Sequence, residues 1–258
     1  MNIYITGLNQ VSDVEIDKIN KPYLPIASGE LSYMSAVVVV FASLAVAYAS
    51  SINAALPLKA TLVGSFILGT LYSLPPFRLK RYPLLAAFCI LVVRGSLINL
   101  GFIMQAKTSV FNTALTVNEF LRPESIAVTL FFAIFGVVIA LLKDVPDIKG
   151  DKEFKIPSFS VKKGATKIFK LSWTLLLGLL WGSSLVSVAG FTALSPSLNT
   201  PKRVSRALFS ILLAVFGFDV QKRARVVVPS DSKIVFEFYM YVWNIFYACY
   251  LILPLIGA

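Results

Sequence analysis

Apolar stretches of about 17–25 residues, the length a helix needs to cross a bilayer, recur at roughly residues 33–52, 55–74, 84–106, 125–142, 168–192, 203–219 and 235–256. Lys59 interrupts the second near its start, and the sixth is short and flanked by Pro201, Lys202, Arg203 and Arg206. Polar and charged residues gather between these runs. The pattern predicts an all-α polytopic membrane protein with about seven transmembrane helices. Met1-Asn2-Ile3-Tyr4-Ile5 reads as the tail of one more apolar helix whose beginning lies outside the chain.

Composition strengthens this picture. Hydrophobic residues make up 57% of the 258 residues and charged residues 14%, with mean hydropathy +0.78, too little charge to clothe a soluble domain. The principal partner is therefore the lipid bilayer. There is no histidine, which removes Ser-His-Asp catalysis and His-ligated zinc or haem. Cys89 and Cys249 both lie in apolar runs and form no metal or disulfide pattern.

The net charge of +11 is orienting charge, because no basic face with interleaved aromatics is present; no nucleic-acid partner is expected. With seven spans, residues 1–32, 75–83, 143–167 and 220–234 share one side and hold sixteen Lys and Arg, against six near the other side. The richer side is the cytoplasmic, stromal or matrix side.

Two acidic motifs fall on that side. Asn9, Asp13 and Asp17 are spaced by four, and Asp144, Asp147 and Asp151 by three and four, so on a helix each set shares one face. Carboxylates so placed repel one another unless a cation sits between them. Mg²⁺ suits such a set because it takes oxygen ligands and is shared with substrate phosphates. A solvated acidic loop is the plainer reading of either motif alone; two on one side, at the ends of apolar helices, favour a site. The motifs also repeat faintly: Asp13-Val-Glu-Ile-Asp17-Lys18 aligns with Asp147-Ile-Lys-Gly-Asp151-Lys152, and each leads through a Pro/Ser stretch to Gly29 or Gly164.

Between them, Tyr72-Ser73-Leu-Pro75-Pro76-Phe-Arg78-Leu-Lys80-Arg81 brings three cations to the acidic side, where they can neutralise a diphosphate leaving group. Arg81 alone reads as membrane anchoring, and Tyr72, Arg78 and Lys80 are the better site candidates. Arg94 lies about ten residues into the third span, with Asn99 five further on, and an ionisable residue at that depth faces a cavity or a partner. A carrier would bury charge in several spans, and Arg94 is the one clear case. A carbocation formed from an isoprenoid needs a dry pocket rich in π-faces, and 13% of the chain is aromatic.

The stretch Asn9-Gln10-Val-Ser-Asp13-Val-Glu-Ile-Asp17-Lys18-Ile-Asn20-Lys21-Pro22 resembles the first signature of the UbiA superfamily of membrane prenyltransferases, and in particular its homogentisate prenyltransferase branch. So do Lys143-Asp144-Val-Pro-Asp147-Ile-Lys-Gly150-Asp151, the Tyr72–Arg81 stretch, Arg94-Gly95 and the closing Phe238–Ala248 stretch. The resemblance implies a UbiA-like helical bundle, nine helices in the family, of which 1–258 is a single domain lacking the first helix and most of the second. It implies that Asp13, Asp17, Asp144, Asp147 and Asp151 hold Mg²⁺ and a prenyl diphosphate, with Asn9, Arg78 and Lys80 assisting and Tyr72 lining the acceptor side. Lys21, Arg81, Arg94, Asn99 and Lys143 would contact substrate. The implied reaction is transfer of a phytyl group to homogentisate with loss of CO₂, in a plastid membrane. Solanesyl transfer is the near alternative. An inactive homologue is the other, to which Cys249 in place of the family's usual Glu would point.

Overall fold

The computed structural model describes residues 1–193 and 200–256, and among these there are helices and no strand. Two short helices, α1 (Asn2–Ser12) and α2 (Val14–Asn20), precede the membrane spans α3 (Tyr33–Ser51) and α4 (Leu56–Ser73). The next span begins as α5 (Pro83–Ile90), widens into a π-helical segment (Leu91–Leu97) and ends as α6 (Ile98–Ser109). The one-turn α7 (Val117–Phe120) leads to α8 (Pro123–Lys143), and the short α9 (Ile148–Glu153) and α10 (Phe159–Lys163) follow. The spans α11 (Ala165–Ala193), α12 (Thr200–Ala224) and α13 (Ser232–Ile252) complete the described chain. Among the described residues seven helices are long and apolar enough to cross a membrane, at the seven positions that the hydropathy pattern marks.

Local chemistry sets many of the helix starts. The Ser32 hydroxyl accepts from the Ser35 N–H at 3.1 Å to cap α3, and the Asp231 carboxylate accepts from the Lys233 and Ile234 N–H groups to cap α13. Pro57 and Pro83 stand in the first turns of α4 and α5, where a missing N–H costs nothing. Gly29 and Gly164, the glycines that end the two weak sequence repeats, adopt left-handed φ angles of 84° and 89° before α3 and α11. That conformation strains any residue with a Cβ. The repeat is therefore structural: helix, break at an acidic residue, short helix, left-handed glycine and membrane span, with the extra helix α10 in the second half.

The chain divides into two compact units, Met1–Val137 with Asp147–Lys162, and Val138–Pro146 with Lys163–Ala258. In the first, α1 packs on α3 and α4 through Tyr4, Leu8 and Val40, with Ile5, Leu44 and Phe66 around them. The Tyr4 hydroxyl is hydrogen-bonded to that of Thr70 at 2.9 Å. Lipid gives no hydrophobic drive for helices to associate, so close van der Waals contact must do it. Accordingly, a Cβ added to Gly95 would stand 2.7 Å from the Ala133 Cα on α8, an approach only glycine allows. The backbone of the π segment is supported by Asn99, whose amide donates to the carbonyls of Arg94 (2.6 Å) and Gly95 (3.0 Å).

In the second unit α11 lies along α12. The hydroxyls of Ser184 and Ser210 each donate to the other's carbonyl at 2.9 Å, and the Trp181 ring sits over Gly217. At the end of α12, Asp219 accepts from the Tyr241 hydroxyl (2.6 Å) and from Arg223 (3.1 Å), whose guanidinium stacks on the Tyr241 ring. Cys89 and Cys249 are free and buried.

Gly95→Val should lower stability by about 1–3 kcal/mol, the usual penalty for overpacking, read as a lower melting temperature in detergent. Gly178→Ala, where an added Cβ meets nothing within 4 Å, is the control and should melt as wild type. A Gly95→Val protein that also melts as wild type would contradict the α8 contact.

Candidate active site

Neither acidic motif is one continuous helix, which corrects the expectation of carboxylates along a single face. At the first, α1 stops at Ser12 and α2 starts at Val14, leaving Asp13 at the break with φ −121° and ψ 18°. At the second, Asp144, Val145 and Pro146 form a turn between α8 and α9. Pro146 has no N–H to continue α8 and disfavours helical geometry at Val145. Each break leaves Asp13 or Asp147 as the cap residue of a short helix, with Asp17 or Asp151 one turn along it.

Asp13 is held by two cations. Arg78 donates through Nη2 to Asp13 Oδ1 at 2.7 Å and to the Ser12 carbonyl at 3.1 Å, and Lys80 Nζ meets Asp13 Oδ2 at 2.5 Å. Arg78 reaches this position from a left-handed backbone (φ 39°) just after the Pro75-Pro76 turn, whose peptide bond is cis. Asn9 donates to Ser73, beside Tyr72 at the end of α4, at 3.4 Å. The loop cations and the first motif therefore form one cluster, as their common side of the membrane predicts.

The two motifs also touch. α2 packs on α9, the Asn20 side chain accepts from the Gly150 N–H at 2.8 Å, and Lys21 Nζ meets Asp147 Oδ2 at 2.5 Å. Gly150 is required here because a Cβ would lie 2.5 Å from the Asn20 Oδ1. Asp17, Asp147 and Asp151 are all buried. Burial pushes the Asp17 carboxyl up to about 6; Asp13 and Asp147 push the same way, and Lys21 and Lys80 oppose. The other oxygen of Asp147, Oδ1, is buried with no hydrogen-bond partner. Asp13, Asp17 and Asp147 thus interact with one another and with Lys21, Arg78 and Lys80, while Asp151 is buried one helical turn after Asp147.

Among the described residues no three carboxylates converge closely enough to share one metal ion. The ion pairs explain this, since ammonium and guanidinium groups occupy the carboxylate edges. The donor chemistry still fits a hard cation. The ligands are all oxygen, one buried carboxylate oxygen is unsatisfied, and one carboxyl is destabilised in its charged form.

The remaining candidates fall elsewhere. Lys143 and Asp144 belong to the second unit, where they pair with each other at 3.2 Å. Arg94 is half-buried in the π segment, and Asn99 braces that segment's backbone. Arg81 is exposed and lines a cleft of about 490 Å³ beside Asp13 and Arg78. Sequence reasoning gave no role to Asn20, the residue that joins the motifs. The signal was a glycine inside the second motif, a mark of close backbone approach. It also gave none to Ser12, whose carbonyl seats Arg78.

The UbiA prenyltransferase family model matches residues 1–245. Homogentisate phytyltransferase 1 of Arabidopsis thaliana is 41% identical over 98% of this chain and 62% of its own. The homogentisate phytyltransferase of a Synechocystis strain is 39% identical over 98% of this chain and 78% of its own, and the homogentisate solanesyltransferase of A. thaliana is 33% identical over 98% and 62%. The chain spans about three-fifths of the length of the plant relatives it matches. A UbiA homologue of Archaeoglobus fulgidus, solved bound to geranyl diphosphate (GPP) and Mg²⁺, shares the fold with a TM-score of 0.57 at 19% identity, over 99% of this chain and 83% of that one. With matching signatures, seven spans and two joined acidic motifs, this chain belongs to the UbiA prenyltransferase family.

Proposed function

We propose that this protein transfers a prenyl group, phytyl as the first choice, from its diphosphate to homogentisate in a plastid membrane, with Mg²⁺ as cofactor. The observation that carries the reading is the meeting of the two aspartate motifs and their cations in one buried polar cluster. The relatives' printed names supply the donor and acceptor. Transfer breaks the allylic C–O bond, the electron pair leaving with diphosphate, and forms a bond from a ring carbon to the prenyl carbon. The ring proton lost is balanced by the proton the benzylic carbon takes up as CO₂ departs.

Asp13, Asp17, Asp147 and Asp151 would hold the metal. Mg²⁺, when bound, supplies charge neutralisation of the diphosphate and orients it. Arg78, Lys80 and Lys21 are paired with these same carboxylates, so they can turn to phosphate oxygens as the carboxylates turn to the cation. Charges of both signs are thus already assembled where a leaving group needs them. Asn9, hydrogen-bonded to Ser73 beside Tyr72, stands at the α1–α4 edge of the cluster and would assist in holding the diphosphate.

Membranes containing the chain should yield prenylated product from labelled phytyl diphosphate, homogentisate and Mg²⁺. Asp13→Ala and Asp147→Ala should each reduce the rate about 10²-fold or more, as loss of a preorganised electrostatic group does. Wild-type rates in both variants would overturn the site.

The raised Asp17 value adds a pH signature. A carboxyl held near 6 in the fold, against an ordinary 3.8, makes its ionised form costly, so stability falls as pH rises through that interval. In chelator, Asp17→Asn should therefore melt higher than wild type above pH 7, by about 1–2 kcal/mol after solvent screening. The difference should vanish by about pH 4. A variant less stable than wild type at neutral pH would show that ionised Asp17 is favoured instead.

A further inference from the structure

The cleft of about 490 Å³ beside Asp13 has a composition unlike that expected for an isoprenoid tail. Val11, Phe154 and Ile156 give it apolar walls, and Tyr33 at the start of α3 adds an aromatic edge. The rim is charged. A twenty-carbon tail requires a long dry channel, whereas a half-apolar cleft of this size with a polar rim suits a small aromatic molecule.

The charges at the rim do not cancel. Asp13 is paired with Arg78 and Lys80, and Glu15 is paired with Lys18 at 2.8 Å. Arg81 is the remaining charged side chain of the lining, and among the described residues no carboxylate lies within ion-pair distance of it. The lining segments 11–16, 78–81 and 154–156 all belong to the positively charged side, so the cleft meets water-borne molecules there. It also shares Ser12, Asp13 and Arg78 with the carboxylate–cation cluster, so an occupant sits next to the place proposed for the diphosphate.

We propose that this cleft is the acceptor subsite and that Arg81 recognises the carboxylate of a small aromatic acid there. This rests on the transferase reading and adds to it the residue that selects an anionic acceptor. A planar guanidinium engages a carboxylate through two parallel N–H···O bonds, a geometry Lys reproduces only in part. Arg81 acts by binding and takes no part in bond making.

The test uses the full chain in nanodiscs, with Arg81→Gln and Arg81→Lys beside wild type. Arg81→Gln should raise KM for homogentisate about 10-fold or more, the loss expected for a charge-assisted pair. It should leave KM for phytyl diphosphate within about twofold, and Arg81→Lys should fall between. The neutral amide of homogentisate should be a poor acceptor for wild type and should lose little further in Arg81→Gln. Equal losses for acid and amide would show that Arg81 does not read the carboxylate. A rise confined to KM for the diphosphate would assign Arg81 to the donor; either result overturns the subsite and leaves the transferase reading standing. If wild type prenylates no aromatic acceptor, the transferase reading fails. Equilibrium binding of 2,5-dihydroxyphenylacetate, followed by calorimetry, then decides the subsite: saturable binding lost in Arg81→Gln supports it, and no binding, or binding unchanged in Arg81→Gln, rejects it.

Discussion

Charged groups shielded from water must be paired, and in this chain that requirement joins two segments more than a hundred residues apart. Lys21 and Asp147 form an ion pair at 2.5 Å, and beside them Asn20 accepts the Gly150 N–H. Removing one partner of such a pair leaves an uncompensated buried charge, far costlier than the pair is favourable. Asp13 obeys the same rule with Arg78 and Lys80. These contacts fix α2 against α9 and the Arg78–Lys80 loop against α1. The spans of the first unit thereby present one polar cluster to one side of the membrane.

The same pairs bear on chemistry. A set of carboxylates alone would be an efficient metal trap but a poor receptor for an anionic diphosphate. A set of cations alone would hold the diphosphate without orienting a metal. Here each sign is balanced by the other within one cluster, so metal and diphosphate can enter together by exchange of partners. The buried, unsatisfied Asp147 Oδ1 and the reluctant ionisation of Asp17 mark where that balance is least complete. The breaks at Asp13 and at the turn that ends on Asp147 matter for the same reason, because they put these two carboxylates at the starts of the short helices α2 and α9.

Much of this was legible in the chain. Span positions follow from apolar length, a local property, and the seven predicted runs coincide with seven helices. Parity of the spans put the acidic motifs on one side, and the contact between α2 and α9 agrees. The ends were less legible. α12 runs on to Ala224 although Lys222 and Arg223 end the apolar signal, because Val220 and Ala224 keep one face of the last turn buried. Pairing was the hidden part. The spacing of Asp13, Asp17, Asp147 and Asp151 reports which side chains could share a helix face. It does not report that the helix breaks, nor that Lys21 would select Asp147, 126 residues away. Likewise Arg94 and Asn99 were expected to contact substrate, and the structure shows Asn99 bracing the π segment's carbonyls.

The joining of the motifs can be tested directly by a disulfide. A Cβ built at Gly150 lies 2.6 Å from Asn20 Cγ, the place a cysteine sulfur at position 20 would take, so Asn20→Cys with Gly150→Cys puts two thiols within bonding range. Mild oxidation of this variant in membranes, with a protease site inserted in the segment 110–116, should give two fragments held together until reductant is added. Cleavage into separate fragments without reductant, while either single-cysteine control behaves the same, would contradict the docking of α2 on α9 and with it the shared site.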